Sequence, residues 1–226
     1  MIYLFQRVLM PYRIPLFNRL NRALDGRLTV VHGGRSVPNG YTDKAPDFQE
    51  ATIHVRSLFG GRAYWVPYDS AIPHAVEPEA VIAEHNPRII SLPGFARKCR
   101  RRNVPVVMWG HGGSRRRDVS ASRDIRDLIH RHYINMSDSY ACYTEGSRER
   151  FGRLVSPAKL FVATNTLDTD RLFAVRRELE REGRMNVRAR LGLTGTRYIC
   201  YIGRLIPEKN PFGVLTALER LRSRGV

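Results

Sequence analysis

Cysteine is scarce in this sequence: Cys99, Cys142 and Cys200 are all there is, and no two form a CxxC pair. So odd and scattered a set excludes a disulfide framework and a zinc knuckle, and it predicts a reducing, cytoplasmic compartment. Long apolar runs are also missing, and no stretch approaches the ~18 apolar residues of a membrane span. Arg7, Pro11, Arg13 and Pro15 interrupt the apolar N-terminus without a small-residue cleavage site, so no signal peptide is expected. There is no low-complexity tract, and with 42% hydrophobic residues general disorder is a poor account of the chain. The GxxxxGK[ST] phosphate loop is absent. Gly110-His-Gly112-Gly113 lacks the last glycine of a dinucleotide fingerprint, because Arg115 stands in its place.

Acidic residues are outnumbered. Thirty-eight Lys and Arg against 21 Asp and Glu leave a formal net charge of +17, a field that attracts nucleic acid, phosphorylated ligands or an acidic membrane surface. Arginine dominates the cations, which suits bidentate recognition of phosphate. Two clusters stand out: Arg97, Lys98 and Arg100–Arg102, then Arg115–Arg117. They read either as solvated faces or as attraction to a phosphorylated acceptor or anionic lipid, where each cation contributes roughly 1 kcal/mol.

Short Val-, Ile- and Tyr-rich runs alternate with amphipathic stretches. The pattern predicts strands at 2–5, 28–32, 88–91, 104–109, 139–144, 160–163 and 197–202, with less regular candidates at 52–55 and 63–67. Helices are predicted at 15–24, 77–84, 95–102, 125–136, 147–154, 174–190 and 211–222, and a surface loop at 36–47. On the helix over 125–136, Ile125, Leu128, Ile129, His132, Tyr133 and Met136 share one face. Such alternation predicts an α/β fold whose doubly wound parallel sheet is covered on both faces. Ligands in such sheets lie beyond the carboxyl ends of the strands, so the loops after Phe5, Trp109, Thr144 and Ala163 are where chemistry is expected. The expected organisation is a first domain over 1–170, a linker helix over 171–196 and the truncated start of a second domain over 197–226. That last βα unit is too small to fold alone.

The most specific segment is Tyr201-Ile-Gly-Arg-Leu-Ile-Pro-Glu-Lys-Asn-Pro211. A strand would end at Gly203, Arg204 and Lys209 would flank the loop, and Asn210 with Pro211 would open a helix. Backbone amides, a helix N-terminus and two cations suit a diphosphate without a metal. On residue types alone, an ordinary solvated loop is the simpler account. In Val106-Val-Met-Trp-Gly-His-Gly-Gly-Ser114 a buried strand runs into a glycine-rich turn that would hold His111 at the sheet edge. His111 reads either as a turn histidine bonded to backbone or as a tuned active-site group. Asp168-Thr-Asp170 is literally a DxD, but Asp168 reads better as a helix cap. His130 and His132 lie two steps apart and share no helix face.

Gly203-Arg-Leu-x-x-x-Lys-Asn210 closely resembles the start of the donor-binding domain of retaining GT-B glycosyltransferases of family four. Met10-Pro-Tyr-Arg-Ile-Pro-Leu-Phe17 resembles the family's acceptor-side loop and helix. Phe161–Phe173 resembles its interdomain connection, with Thr166 where glycine is usual, and Arg190-Leu-Gly-Leu193 also fits. The resemblance implies two Rossmann-like domains, the first on the acceptor side, closing on a nucleotide-sugar donor. It implies that Gly203, Arg204 and Lys209 bind the donor diphosphate, that His111 lies near the transferred sugar, and that Tyr12 and Arg13 face the acceptor. No cofactor or metal is expected beyond a UDP- or GDP-linked co-substrate. The implied acceptor is a glycan or lipid-linked saccharide, with peripheral contact at the inner face of an anionic membrane. The family's later acidic motif, a pair of Glu with seven residues between them, has no match here, so the chain alone is expected to transfer sugar weakly or not at all. Two other classes compete: a non-catalytic subunit that awaits a partner supplying the missing domain, and a basic nucleic-acid-binding module. The latter has no helix-turn-helix, zinc or RNP signature.

Overall fold

A computed structural model describes residues 1–35, 45–73, 77–111, 120–195, 197–203 and 205–225. The basic cluster Arg115–Arg117, most of the 36–47 loop and Arg204 lie outside the described residues. The chain divides into two compact units, Met1–Thr169 and Asp170–Val226.

The first unit is the α/β fold that the alternation predicts. Its elements run β1 (Ile2–Gln6), α1 (Ile14–Ala23), β2 (Leu28–His32), β3 (Gln49–Thr52), the short strands β4 (Arg56–Leu58) and β5 (Ala63–Trp65), and β6 (Ala80–Glu84). They continue with α2 (Leu92–Arg101), β7 (Val106–Gly110), α3 (Ser120–Met136), β8 (Ser139–Cys142), α4 (Glu145–Gly152) and β9 (Leu160–Val162). Seven strands form one parallel sheet in the order β3-β2-β1-β6-β7-β8-β9. The winding reverses between β1 and β6, which makes that pair of carboxyl ends the topological switch point. β4 and β5 form a separate antiparallel hairpin, joined to the chain after β6 by Tyr64 N–H to Arg88 O at 2.7 Å and Ile90 N–H to Tyr64 O at 3.0 Å.

Side-chain alternation divides the interior into two cores. Tyr3, Phe5, Val81, Val106, Met108, Tyr140 and Cys142 meet Leu92, Phe95 and Cys99 of α2, Tyr133 and Ile134 of α3, and Phe151 of α4. Leu4, Leu28, Val30 and Trp109 point the other way, onto Ile14 and Phe17 of α1. β2 is buried at every residue, as expected of a strand covered on both faces.

Local pattern misled at 52–55, where β3 has already ended at Thr52 and β4 begins only at Arg56, and in four further places. Residues 77–84 read as a helix, but Ala80–Glu84 is β6, inserted between β1 and β7. Pairing on both sides overrides the helical preference of Ala and Glu. Residues 88–91 read as a strand but form a turn; only Ile89 bridges to Tyr64, and α2 begins at Leu92 with Pro93 in its first turn. The apolar face over 125–136 is split: His130, Tyr133 and Ile134 are buried, while Ile125, Leu128 and Ile129 are exposed. Residues 197–202 form no strand, because no neighbouring strand among the described residues supplies a ladder.

The second unit consists of α5 (Thr169–Glu182, starting at the boundary), α6 (Arg184–Arg190) and α7 (Pro211–Ser223). None of its described residues is buried. α7 begins as the sequence suggests: Asn210, in the left-handed region at φ 49°, caps it by accepting from Gly213 N–H at 3.2 Å, and Pro211 follows.

Candidate functional site

The residues at and just beyond the carboxyl ends of β1, β7 and β8 converge. The 3-10 turn Pro11–Arg13 runs straight into α1 and turns the Arg13 side chain inward, leaving it 8% exposed. One Nη of Arg13 donates to Gln6 Oε1 at the end of β1, and the other donates to Tyr143 Oη at 2.8 Å, one residue past β8. The guanidinium also lies 5.0 Å from the Trp109 ring of β7, 5.7 Å from Tyr12 and 5.9 Å from Tyr143. Arg13 Nε is buried and has no hydrogen-bond partner. Burial raises the Tyr143 phenol above its ordinary pKa, and the adjacent Arg13 charge pulls against that rise.

His111 directly follows β7 and is exposed. Its ring centroid lies 5.4 Å from that of Tyr143, and its carbonyl accepts from Ser147 Oγ at 3.3 Å. The preceding Gly110 is required by space: a Cβ there would stand 2.8 Å from His85 Cβ and 3.1 Å from Tyr140 Oη. His85, one residue past β6, is buried; its Nδ1 lies 2.6 Å from Tyr140 Oη, while its Nε2 has no partner. Burial, then the nearby His130, push the His85 pKa down to about 3, so its imidazole is neutral.

Across the switch point, Glu84 Oε2 accepts from Arg7 N–H at 3.0 Å. Next to it the loop after β2 is tied down. His32 Nε2 lies 3.0 Å from Glu50 Oε2, Gly34 N–H donates to His32 Nδ1 at 3.2 Å, and Arg35 pairs with the same carboxylate. Burial works to raise the Glu50 carboxyl, but Arg35 and His32 outweigh it and hold it below the usual range. A Cβ on Gly33 would stand 2.7 Å from Arg7 O, so the two loops meet backbone to backbone.

The structure therefore brings Tyr12, Arg13 and His111 together around Tyr143. Gly203 and Lys209 lie in the other unit, both exposed; Lys209 ends the 3-10 turn Pro207–Lys209 before α7, and its carbonyl accepts from Tyr201 Oη at 3.2 Å. Sequence reasoning missed Gln6, Trp109 and Tyr143. The signal available was their position at strand carboxyl ends. Among the described residues no cluster of three or more His, Cys, Asp or Glu is placed to hold a metal, and no helix is long and apolar enough to cross a membrane.

No protein-family model matches the sequence, and no curated protein is significantly similar to it. Among solved structures it is similar to the UDP-GlcNAc 2-epimerase from Methanocaldococcus jannaschii, with 16% identity and a TM-score of 0.42 over 87% of this chain and 54% of that one. It is also similar to the UDP-N-acetylglucosamine 2-epimerase from Rickettsia bellii, with 16% identity and a TM-score of 0.43 over 86% of this chain and 52% of that one. The chain spans about half the length of these proteins. A likeness of this degree assigns no activity.

Proposed function

We propose that the chain is the acceptor-side part, with the opening of the donor side, of a retaining glycosyltransferase of the family-four GT-B type. Its reaction moves a sugar from a UDP- or GDP-linked donor to a glycan or lipid-linked acceptor. The observation that carries this reading is the meeting of Arg13 and His111 around Tyr143 beyond β1, β7 and β8. Doubly wound sheets take their ligands at that edge, and both residues belong to segments with the family's motifs.

In this reading the exposed His111 positions or polarises the acceptor, and Tyr12 and Arg13 line the acceptor's approach. Gly203 lets the donor close in, and Arg204 and Lys209 take its diphosphate at the N-terminus of α7. Cations and helix amides there stabilise charge that develops on the leaving nucleoside diphosphate, with no metal needed. Contact with an anionic membrane would present a lipid-linked acceptor.

Calorimetric titration with UDP, GDP and their sugar conjugates, without metal, tests the donor half. Binding that disappears in Arg204→Ala and Lys209→Ala supports the reading; a folded chain that binds none of them removes the donor roles of Arg204 and Lys209 and favours the non-catalytic reading below. A second reading, a non-catalytic subunit completed by a partner, draws on the exposure of Ile202 (93%), Leu205 (78%) and Phe212 (73%) in the second unit. Self-association by light scattering without nucleotide affinity would favour it.

A further inference from the structure

Arg13 is a buried cation whose described partners are all neutral. Gln6 Oε1 and Tyr143 Oη accept from it, and aromatic rings pack beside it, but it forms no ion pair with any described carboxylate. Stripping a guanidinium of water costs several kcal/mol unless an anion and a full set of hydrogen bonds compensate. Cation–π contacts return only part of that, about 2 kcal/mol when desolvated. The fork has five N–H donors, and the buried Nε–H is unused. Glu84 is the carboxylate whose charge acts on Tyr143, yet its Oε2 is engaged by Arg7 N–H and it makes no bridge to Arg13. The result is a fixed, under-neutralised fork beside the exposed His111, at the edge of the sheet where ligands bind.

We propose that Arg13 is the receptor for an oxyanion, a phosphate or a carboxylate, carried by the acceptor. Acceptors with an anionic group next to the reacting sugar are thereby selected over neutral glycans. The assignment to an acceptor rests on the glycosyl-transfer reading; anion capture by Arg13 does not. Gln6 and Tyr143 are positioning residues that hold the planar fork against Trp109, ready to give parallel N–H···O bonds.

Trp109 supplies the readout. The chain has two tryptophans, and Trp65→Phe leaves Trp109, on which the guanidinium lies, as the sole emitter. In that background, inorganic phosphate and methyl glucuronoside are titrated at ionic strength held constant with chloride, so that general screening of the basic surface cancels. A saturable change in Trp109 emission is expected with at least one of them. Tighter binding of phosphate identifies a phosphorylated acceptor, and tighter binding of the glucuronoside identifies an acidic sugar. Arg13→Gln should weaken binding by about tenfold or more. Arg13→Lys keeps the charge, and with it the fold should Arg13→Gln fail to fold; it should weaken binding by roughly fivefold, because a point charge replaces the fork. No saturable change with either probe, or unchanged affinity in Arg13→Lys or a folded Arg13→Gln, overturns the proposal. A parallel UDP titration separates the two ideas: anion capture without UDP binding leaves Arg13 standing and sinks the donor reading, and the converse does the reverse.

Discussion

His85 Nδ1 lies 2.6 Å from the hydroxyl of Tyr140, in the layer directly beneath the Gly110–His111 turn. Burial raises the Tyr140 phenol, so that hydroxyl keeps its proton and donates it to Nδ1. The imidazole is then neutral, with its own proton on the unpartnered Nε2. The folded pKa of about 3 lies below the ordinary value of 6.5, so from pH 6.5 downward the unfolded chain takes up a proton that the folded chain refuses. Stability is therefore full above pH 6.5 and is lost as pH falls toward 3. Between pH 7.5 and pH 5 this one group should cost about 2 kcal/mol. Urea unfolding at the two pH values should show that loss in the wild type. His85→Gln, which can still accept from Tyr140, should lack it; equal losses would mean that His85 is protonated in the folded protein.

Gly110→Ala should be costly although it adds one methyl group. The new Cβ would stand 2.8 Å from His85 Cβ and 3.1 Å from His85 O, and neither is the free end of a flexible side chain. Relief requires β7 or the chain after β6 to move, at about 1–3 kcal/mol. Gly94→Ala is the control, since a Cβ there meets nothing within 4 Å. Thermal melts should separate the two variants by several degrees, and similar melts would mean that the turn after β7 has room to yield.

The same turn shows what was legible in the sequence. His111 could be placed at a strand end because an apolar run breaks at consecutive glycines, and Arg13 because it follows a recognisable loop. Gln6, Trp109 and Tyr143 also fall at or near predicted strand ends, but nothing local marks them as one site until the pairing of β1 with β6, β6 with β7 and β7 with β8 sets those ends side by side. β6 was hidden for the same reason: Ala80–Glu84 has helix-forming residues, and its neighbour β1 lies almost eighty positions away. Residues 197–202 fail in the opposite sense, with strand composition but no partner strand among the described residues. Periodicity reports local preference, whereas a parallel sheet is settled by non-local pairing.

Phe17 and Phe212 provide a paired comparison of aromatic deletions. Phe17 is buried between α1 and the sheet, with its ring 6.0 Å from Trp109 and 6.1 Å from Phe48. Phe17→Ala should destabilise the protein by about 3–5 kcal/mol through lost transfer energy and the cavity left behind. Phe212 is 73% exposed, so Phe212→Ala should change stability by less than about 0.5 kcal/mol. Chemical denaturation of the two variants is the measurement. A large loss in Phe212→Ala would mean that α7 is covered in solution by something that buries its apolar face.

Limited trypsin digestion should divide the chain near the start of the second unit. Arg171, Arg176, Arg177 and Arg181 are exposed on α5, and no described residue from Asp170 onward is buried. The links that hold this helical stretch include exposed pairs such as Arg176–Glu180 at 2.8 Å and Arg190–Glu182 at 2.7 Å. Such pairs contribute only a few tenths of a kcal/mol each, so local opening there needs far less free energy than opening the sheet. Mass spectrometry should find the first cuts at these arginines and a surviving fragment that begins at Met1 and retains β1 to β9. That fragment should melt at nearly the temperature of the whole chain, because both cores belong to it. Cleavage at Arg171–Arg181 as slow as at the buried Arg13 would place a hidden cover over the second unit and favour the partner-dependent reading.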